Sequence, residues 1–130
     1  MSNSQVSGLS YKITSEKARN GKEAVSKYKE RFNFKCYDEH CTKKYIKLII
    51  MDLMMPVMDG FEATKEILAF EALKGSNQCD IVALTSNTDK QTMEKCKRYG
   101  FREVLQKPLD FQSLKRIACL YHFKMTEKEY

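Results

Sequence analysis

No stretch of this chain is apolar for long enough to cross a membrane. The longest apolar run, within Leu48–Ala63, is interrupted by Asp52 and again by Pro56. A spanning helix needs roughly 20 largely apolar residues. The first ten residues, MSNSQVSGLS, are polar and do not read as a secretory leader. The five cysteines are an odd number and do not suggest a disulfide framework. A cytoplasmic, reducing setting is the expectation. Cys36, His40 and Cys41 cluster in "CYDEHC", but no second ligand pair follows, and a structural zinc site needs four ligands. The net charge is +6. No aromatic-plus-basic recognition pattern accompanies it, and Glu23, Glu30 and Glu94 intersperse the lysines of the predicted helices. These read as solvated faces, so the expectation is no nucleic-acid partner and no membrane.

At 130 residues the chain is one domain's worth. We divide it into a lead over 1–10, a domain over 11–123 and a frayed tail over 124–130. Tyr11–Thr14 alternates polar and apolar residues, as a short strand does. Asn20-Gly21-Lys22-Glu23 reads as a capping box, with Ala24, Val25, Tyr28 and Phe32 at helical spacing behind it. Phe32–Lys44 has no clean period and reads as a connection. Tyr45–Met51 is apolar except for Lys47 and suits a strand buried on both faces. Asp59-x-x-Glu62 opens a helix through about Leu73, and Gly75–Asp80 is turn material. Ile81–Thr85 is a further buried strand. Thr88-x-x-Gln91 reads as the cap of a helix carrying Met93, Cys96 and Tyr99 inward, which Gly100 stops. Glu103–Gln106 is a short strand. Asp110 caps a last helix that turns Leu114, Ile117, Ala118 and Tyr121 inward. The alternation predicts an α/β fold, a parallel sheet of four strands with helices on both faces.

Parallel sheets gather ligands at the C-terminal ends of their strands. Three polar residues fall there: Asp52 after LIIM, Thr85 after IVAL and Lys107 after EVLQ. An acid, a hydroxyl and an amine ending three successive strands are more specific than any one alone. A carboxylate at the end of an apolar strand must be solvated, paired or used chemically. Lys107 can pair with it. Asp59 reads as a helix cap, and Met51, Met54, Met55 and Met58 read as core and loop packing.

These residues resemble the receiver domain of the response-regulator family. "MDLMMPVMDG" is similar to its phosphoacceptor loop, "ALTS" to its hydroxyl-bearing strand and "QKPL" to its lysine-proline turn, while "ARNGKEAV" is similar to the start of its second helix. The resemblance runs from about Tyr11 to Tyr121 and implies a flavodoxin-like receiver fold. It implies that Asp52 accepts phosphate from a histidine kinase or histidine phosphotransfer protein, with Thr85 and Lys107 contacting the phosphoryl group. It also implies Mg²⁺, held by Asp52 and the backbone carbonyl of Met54. Phosphoryl transfer needs an in-line nucleophile and fixed positive charge, which Asp52 and Lys107 supply.

Three departures shape the expectations. The family's pair of acids at the end of its first strand has no counterpart, since no acid precedes Glu16. The first strand and helix of the fold are correspondingly expected to be missing, as in a fragment of a hybrid kinase, a truncated copy or a degenerate module. Two charges at ~4 Å are each worth about 4 kcal/mol at an effective dielectric near 20, before solvation. Asp52 alone is therefore expected to hold Mg²⁺ weakly or not at all, and phosphorylation is expected to suffer. Missing a central strand, the domain is expected to be marginally stable. Finally, Val104 stands where many receivers carry a mobile Tyr or Phe.

An enzyme is not expected. A phosphatase using an aspartyl phosphate wants a second acid two residues after the nucleophile, and Met54 is there. The alternative function is a phosphorylation-independent interaction domain using the surface of Thr88–Tyr121, with a homodimer as one form.

Overall fold

The computed structural model describes the backbone of residues 2–6 and 9–13 and the structure of residues 17–33, 46–75 and 79–122. Glu16, the cluster of Cys36, His40 and Cys41, and the tail over 124–130 lie outside the described residues.

Strands β1 (Ser2–Val6) and β2 (Leu9–Ile13) form an antiparallel hairpin in which Ser2 faces Ile13 and Val6 faces Leu9. Helix α1 (Gly21–Asn33) follows, then β3 (Leu48–Asp52), α2 (Gly60–Leu73), β4 (Asp80–Thr85), α3 (Lys90–Tyr99), β5 (Val104–Gln106) and α4 (Phe111–Ile117). A π-helical segment, Ala118–His122, continues α4. Strands β3, β4 and β5 make one parallel sheet in that order. The α/β alternation is as expected, but the strand expected at Tyr11–Thr14 is a correction. It appears as Leu9–Ile13 and pairs with its own antecedent segment rather than joining the parallel sheet. The expected boundary at residue 10 therefore falls inside a paired strand. Only Ser7 and Gly8 separate the two strands in sequence. A local antiparallel hairpin closes a short loop, whereas a parallel pairing needs a long crossover and more closure entropy.

The sheet has helices on both faces, and side-chain alternation assigns them. Ile81 and Ala83 of β4 join Met51 of β3, Val25 and Tyr28 of α1, Ala63 and Ile67 of α2, and Cys96 of α3 in the larger core. Val82 of β4 faces the other way, to Leu105 of β5 and Ile117 of α4. Burying each large aliphatic side chain is worth about 1.5–3 kcal/mol. A buried carboxylate ties the larger side together: Glu71 of α2 accepts hydrogen bonds from the Tyr28 hydroxyl at 2.6 Å and the Cys79 amide at 3.1 Å. Burial and that contact push the Tyr28 phenol well above its ordinary range.

The helix ends follow their side chains. Asn20, Asp59 and Asp110 accept from the amides of Glu23, Glu62 and Ser113, as expected. Gly100 ends α3 in the left-handed region at φ 96°. The cap of α3 is Asp89, not Thr88: its carboxylate accepts from the Thr92 amide at 2.7 Å. Asn87 accepts the Asp89 amide and sets the turn one residue later than expected. Carboxylate acceptors suit the positive end of a helix better than a hydroxyl. Two residues expected to turn inward differ. Met93 and Leu114 are exposed, whereas Cys96, Ile117 and Ala118 are buried and the half-buried Tyr121 packs against Val82, Leu105 and Ile117. The methionines divide as well. Met51 is core, while Met54 is 77% exposed.

Candidate functional site

Parallel pairing brings the three strand ends to one edge. Asp52 lies beside Leu84, and Thr85 beside Gln106, the residue before Lys107. The backbone continues this ladder beyond the strands. The Leu53 amide donates to the Leu84 carbonyl at 3.1 Å, and the Lys107 amide to the Thr85 carbonyl at 2.9 Å. The Lys107 ammonium then reaches Oδ2 of Asp52 at 2.7 Å. Oδ1 of Asp52 accepts from the Met54 amide at 2.9 Å. The carboxylate at the end of the apolar strand is thus paired on both oxygens, which compensates for its half-burial. Thr85 is buried, and its hydroxyl accepts from the Asn87 amide at 3.1 Å. Its own proton remains free to donate.

The loop after Asp52 is held by close backbone approaches. Gly60, the first residue of α2, donates to the Leu53 carbonyl, and a Cβ there would sit 2.4 Å from the Asp52 carbonyl oxygen. Gly21, the first residue of α1, donates to the Met58 carbonyl at 3.0 Å, and a Cβ there would meet that oxygen at 2.3 Å. Neither position tolerates a side chain without moving the loop. Between them, the Met58 amide bonds back to the Pro56 carbonyl at 2.7 Å around Val57 at φ 69°. That is a γ-turn carried by a β-branched residue in a region such residues avoid. The sequence pattern marked Gly21 only as part of a helix start and did not single out Asn87. Asn-Gly at a helix start was a signal for close backbone approach. Asn87 has a weaker signal, an Asn two residues after a strand end.

The position of Val104 has a neighbour that bears on the site's far side. Glu103 accepts from the Tyr121 hydroxyl at 2.5 Å and from both terminal nitrogens of Arg116. Burial alone would raise the Glu103 carboxyl, but Arg116 and Tyr121 outweigh it and hold the group below its usual value. Burial, then the Glu103 contact, pushes the Tyr121 phenol up. An ion-paired network, not an aromatic ring at residue 104, joins α4 and its continuation to the start of β5.

The Mg²⁺ implied by the resemblance does not fit the described donor set. Mg²⁺ is held through carboxylates, phosphate and water in near-octahedral geometry. Among the described residues no group of three or more His, Cys, Asp or Glu side chains is placed to hold a metal. Asp52 is the carboxylate at this edge, and an ammonium already lies against it.

With this geometry in hand, comparison with known proteins is specific. The model of the response regulator receiver domain matches residues 5–118. The peroxide stress-activated histidine kinase mak1 of Schizosaccharomyces pombe is 35% identical over 122 residues, covering 85% of this chain and 7% of mak1. The chemotaxis protein CheY of Halobacterium salinarum is 35% identical over 99 residues, covering 76% of this chain and 68% of CheY. The chain spans between 4% and 7% of the length of three histidine kinases that it matches. Among solved structures, the receiver domain of Saccharomyces cerevisiae Ssk1, crystallised with the histidine phosphotransfer protein Ypd1, superposes with a TM-score of 0.66 and 30% identity, over 85% of this chain and 72% of that one. The α/β fold with a parallel sheet, the polar edge of that sheet and these likenesses agree: the chain belongs to the receiver domain family of response regulators, signalling modules of phosphorelays that are generally non-enzymatic.

Proposed function

We propose that Asp52 accepts a phosphoryl group from a histidine kinase or a histidine phosphotransfer protein. The observation that carries this reading is the Lys107 ammonium on the Asp52 carboxylate at the C-terminal edge of the sheet. One carboxylate oxygen attacks phosphorus in line with the phosphohistidine P–N bond. The new O–P bond forms as the P–N bond breaks, and the electron pair returns to the imidazole. Lys107 then neutralises the acyl phosphate, and Thr85 donates its hydroxyl proton to a phosphoryl oxygen. Electrostatic positioning of this kind carries most of phosphoryl-transfer catalysis. Receiver domains generally bind Mg²⁺ at this site. The described residues do not fit the ion, and none of these steps passes through it.

The test is incubation with a small-molecule phosphodonor or a phosphorylated phosphotransfer protein, with and without Mg²⁺, read by intact mass. A slow gain of one phosphoryl group, absent in Asp52→Asn and little changed by Mg²⁺, is expected. A strong Mg²⁺ requirement would show that another acid completes a metal site.

A second reading has its own observation. Met93, Phe111 and Leu114 are exposed apolar side chains within the Thr88–Tyr121 surface, and such groups mark interaction faces when they cluster. If no donor transfers phosphate to Asp52, the domain acts through this surface without phosphorylation, on a partner or on a second copy of itself.

A further inference from the structure

Helices α2 and α3 leave an open concavity of about 340 Å³ between them, lined by Lys65, Leu68, Arg98 and Tyr99. None of these residues belongs to the Asp52 site or turns toward it. Gly100 lies close to the groove, since a Cβ there would be 2.8 Å from a methyl carbon of Leu68. The floor is apolar and the rim is cationic. Among the described residues, neither Lys65 nor Arg98 has an ion-pair partner. Their helices carry Glu62, Glu66 and Glu94, all exposed, yet none reaches them. Lys95, also on α3, lies over the Phe61 ring at 4.1 Å and the Tyr99 ring at 5.7 Å.

Surface cations without an ion pair are common among the described residues, Lys22, Lys90 and Lys97 included. The α2–α3 groove differs in placement: Lys65 and Arg98, from two helices, line one depression together with Leu68 and Tyr99. A solvated face does not require a concavity, and a packing defect does not require two cations facing it. We propose that this groove docks an acidic polypeptide segment, with carboxylates flanking one aliphatic or aromatic side chain. The anchor would cover Leu68 and Tyr99 while the carboxylates meet Lys65 and Arg98. The groove is open, unlike the enclosed pockets that hold small ligands, so a polypeptide suits it better than a small anion. Charge of this kind sets encounter rate and orientation more than affinity, so the contact is expected to be weak and sensitive to salt.

The experiment uses the full chain and a fluorescein-labelled peptide bearing glutamates on both sides of a Leu-Phe pair, followed by anisotropy. Amide chemical shifts of the unaltered protein map where it binds. Binding that weakens with salt, with shifts centred on residues 61–68 and 95–100, is expected. The double variant Lys65→Glu with Arg98→Glu should weaken binding about tenfold, since exposed ion pairs are each worth up to roughly fivefold. Lys90→Glu, on the same helix but outside the groove, should weaken it by less than about twofold on the same scale. Circular dichroism confirms that each variant is folded, and shift mapping needs no variant at all. Absence of binding overturns the proposal. So does equal loss in Lys90→Glu, which would mean diffuse basic charge, or tighter binding of a single-stranded oligonucleotide of equal charge at the same shifts.

Discussion

The two sides of the sheet are built on different scales. On one side, three helices cover Met51, Ile81 and Ala83, and the core extends through Ala63, Ile67 and Cys96 to an aromatic group of Phe61, Tyr99 and Phe101. On the other, among the described residues, Val82 meets Ile117 of α4 and Tyr121 of its continuation, and Leu48, Ile50, Leu84 and Leu109 around it are only partly buried. The strands are equally apolar in sequence, so composition does not cause the difference. Position does. Strand β4 lies between two neighbours and its Ile81, Val82 and Ala83 are at most 1% exposed. Strand β3 has a neighbour on one side only among the described strands, and its Leu48, Ile49 and Ile50 are half-buried. Stability therefore rests mainly on the larger side, while the charged site stands at the edge where both sides end.

Core truncations test this most strongly. Ile67→Ala and Ile117→Ala each remove a side chain that is fully buried. Ile67→Ala should cost about 4 kcal/mol, in the upper part of the range for such changes, because its surroundings are closed. Ile117→Ala should cost about 2 kcal/mol, because half-exposed neighbours can close over the gap. Urea denaturation measures both, and equal costs would remove the distinction between the two sides.

Polar ties should follow the same order with smaller effects. Tyr28→Phe strips one donor from the buried Glu71 carboxylate and should cost about 1–3 kcal/mol. Tyr121→Phe leaves Glu103 with Arg116 and some solvent, and should cost less than about 1 kcal/mol. The same denaturation series compares them, and a larger loss for Tyr121→Phe would place the firmer anchor on the smaller side.

Acid sharpens the comparison further. The Glu103 carboxyl is held below its unfolded value by Arg116 and Tyr121. Its contribution is fully present above the unfolded pKa and is lost as pH falls through the folded one. Stability should therefore decline from about pH 4.5 downward, the ordinary glutamate range, and Glu103→Gln should flatten that part of the profile. Thermal melts at stepped pH read this, and an unchanged slope in Glu103→Gln would locate the acid sensitivity elsewhere. The smallest effect belongs to the surface ion pairs of Glu23 with Arg19 and Lys27. Glu23→Gln should change stability by less than about 0.5 kcal/mol, and that little should vanish in high salt.

Much of this was already legible in the chain. Continuous apolar runs before Asp52 and Thr85 marked parallel strands, although β3, expected to be buried on both faces, is only half-buried at Leu48, Ile49 and Ile50. Paired cap residues marked the starts of α1 and α2, and Asp110 that of α4. These signals are local: a strand needs its own alternation or apolar run, and a cap needs only its own first turn. The order of Asp52, Thr85 and Lys107 along the chain followed the same way, because parallel strands must all end on one edge. What local pattern could not decide was choice among partners. Leu9–Ile13 has the alternation of a strand, but whether it joins the sheet or folds back on Ser2–Val6 is a competition between two pairings. Thr88 and Asp89 are both capping residues, and the Asn87 turn chose between them. Leu114 carries the same spacing as Ile117 and Tyr121, yet only those two pack toward Val82 and Leu105 while Leu114 stays exposed. Gly21 looked like a helix start, and its role against the Met58 carbonyl exists only once α1 is laid on the loop after Asp52. The residues alone determined what each segment was able to form and which chemical groups reached the sheet edge. The tertiary structure decided which groups met, because a contact between distant residues depends on the packing of everything between them.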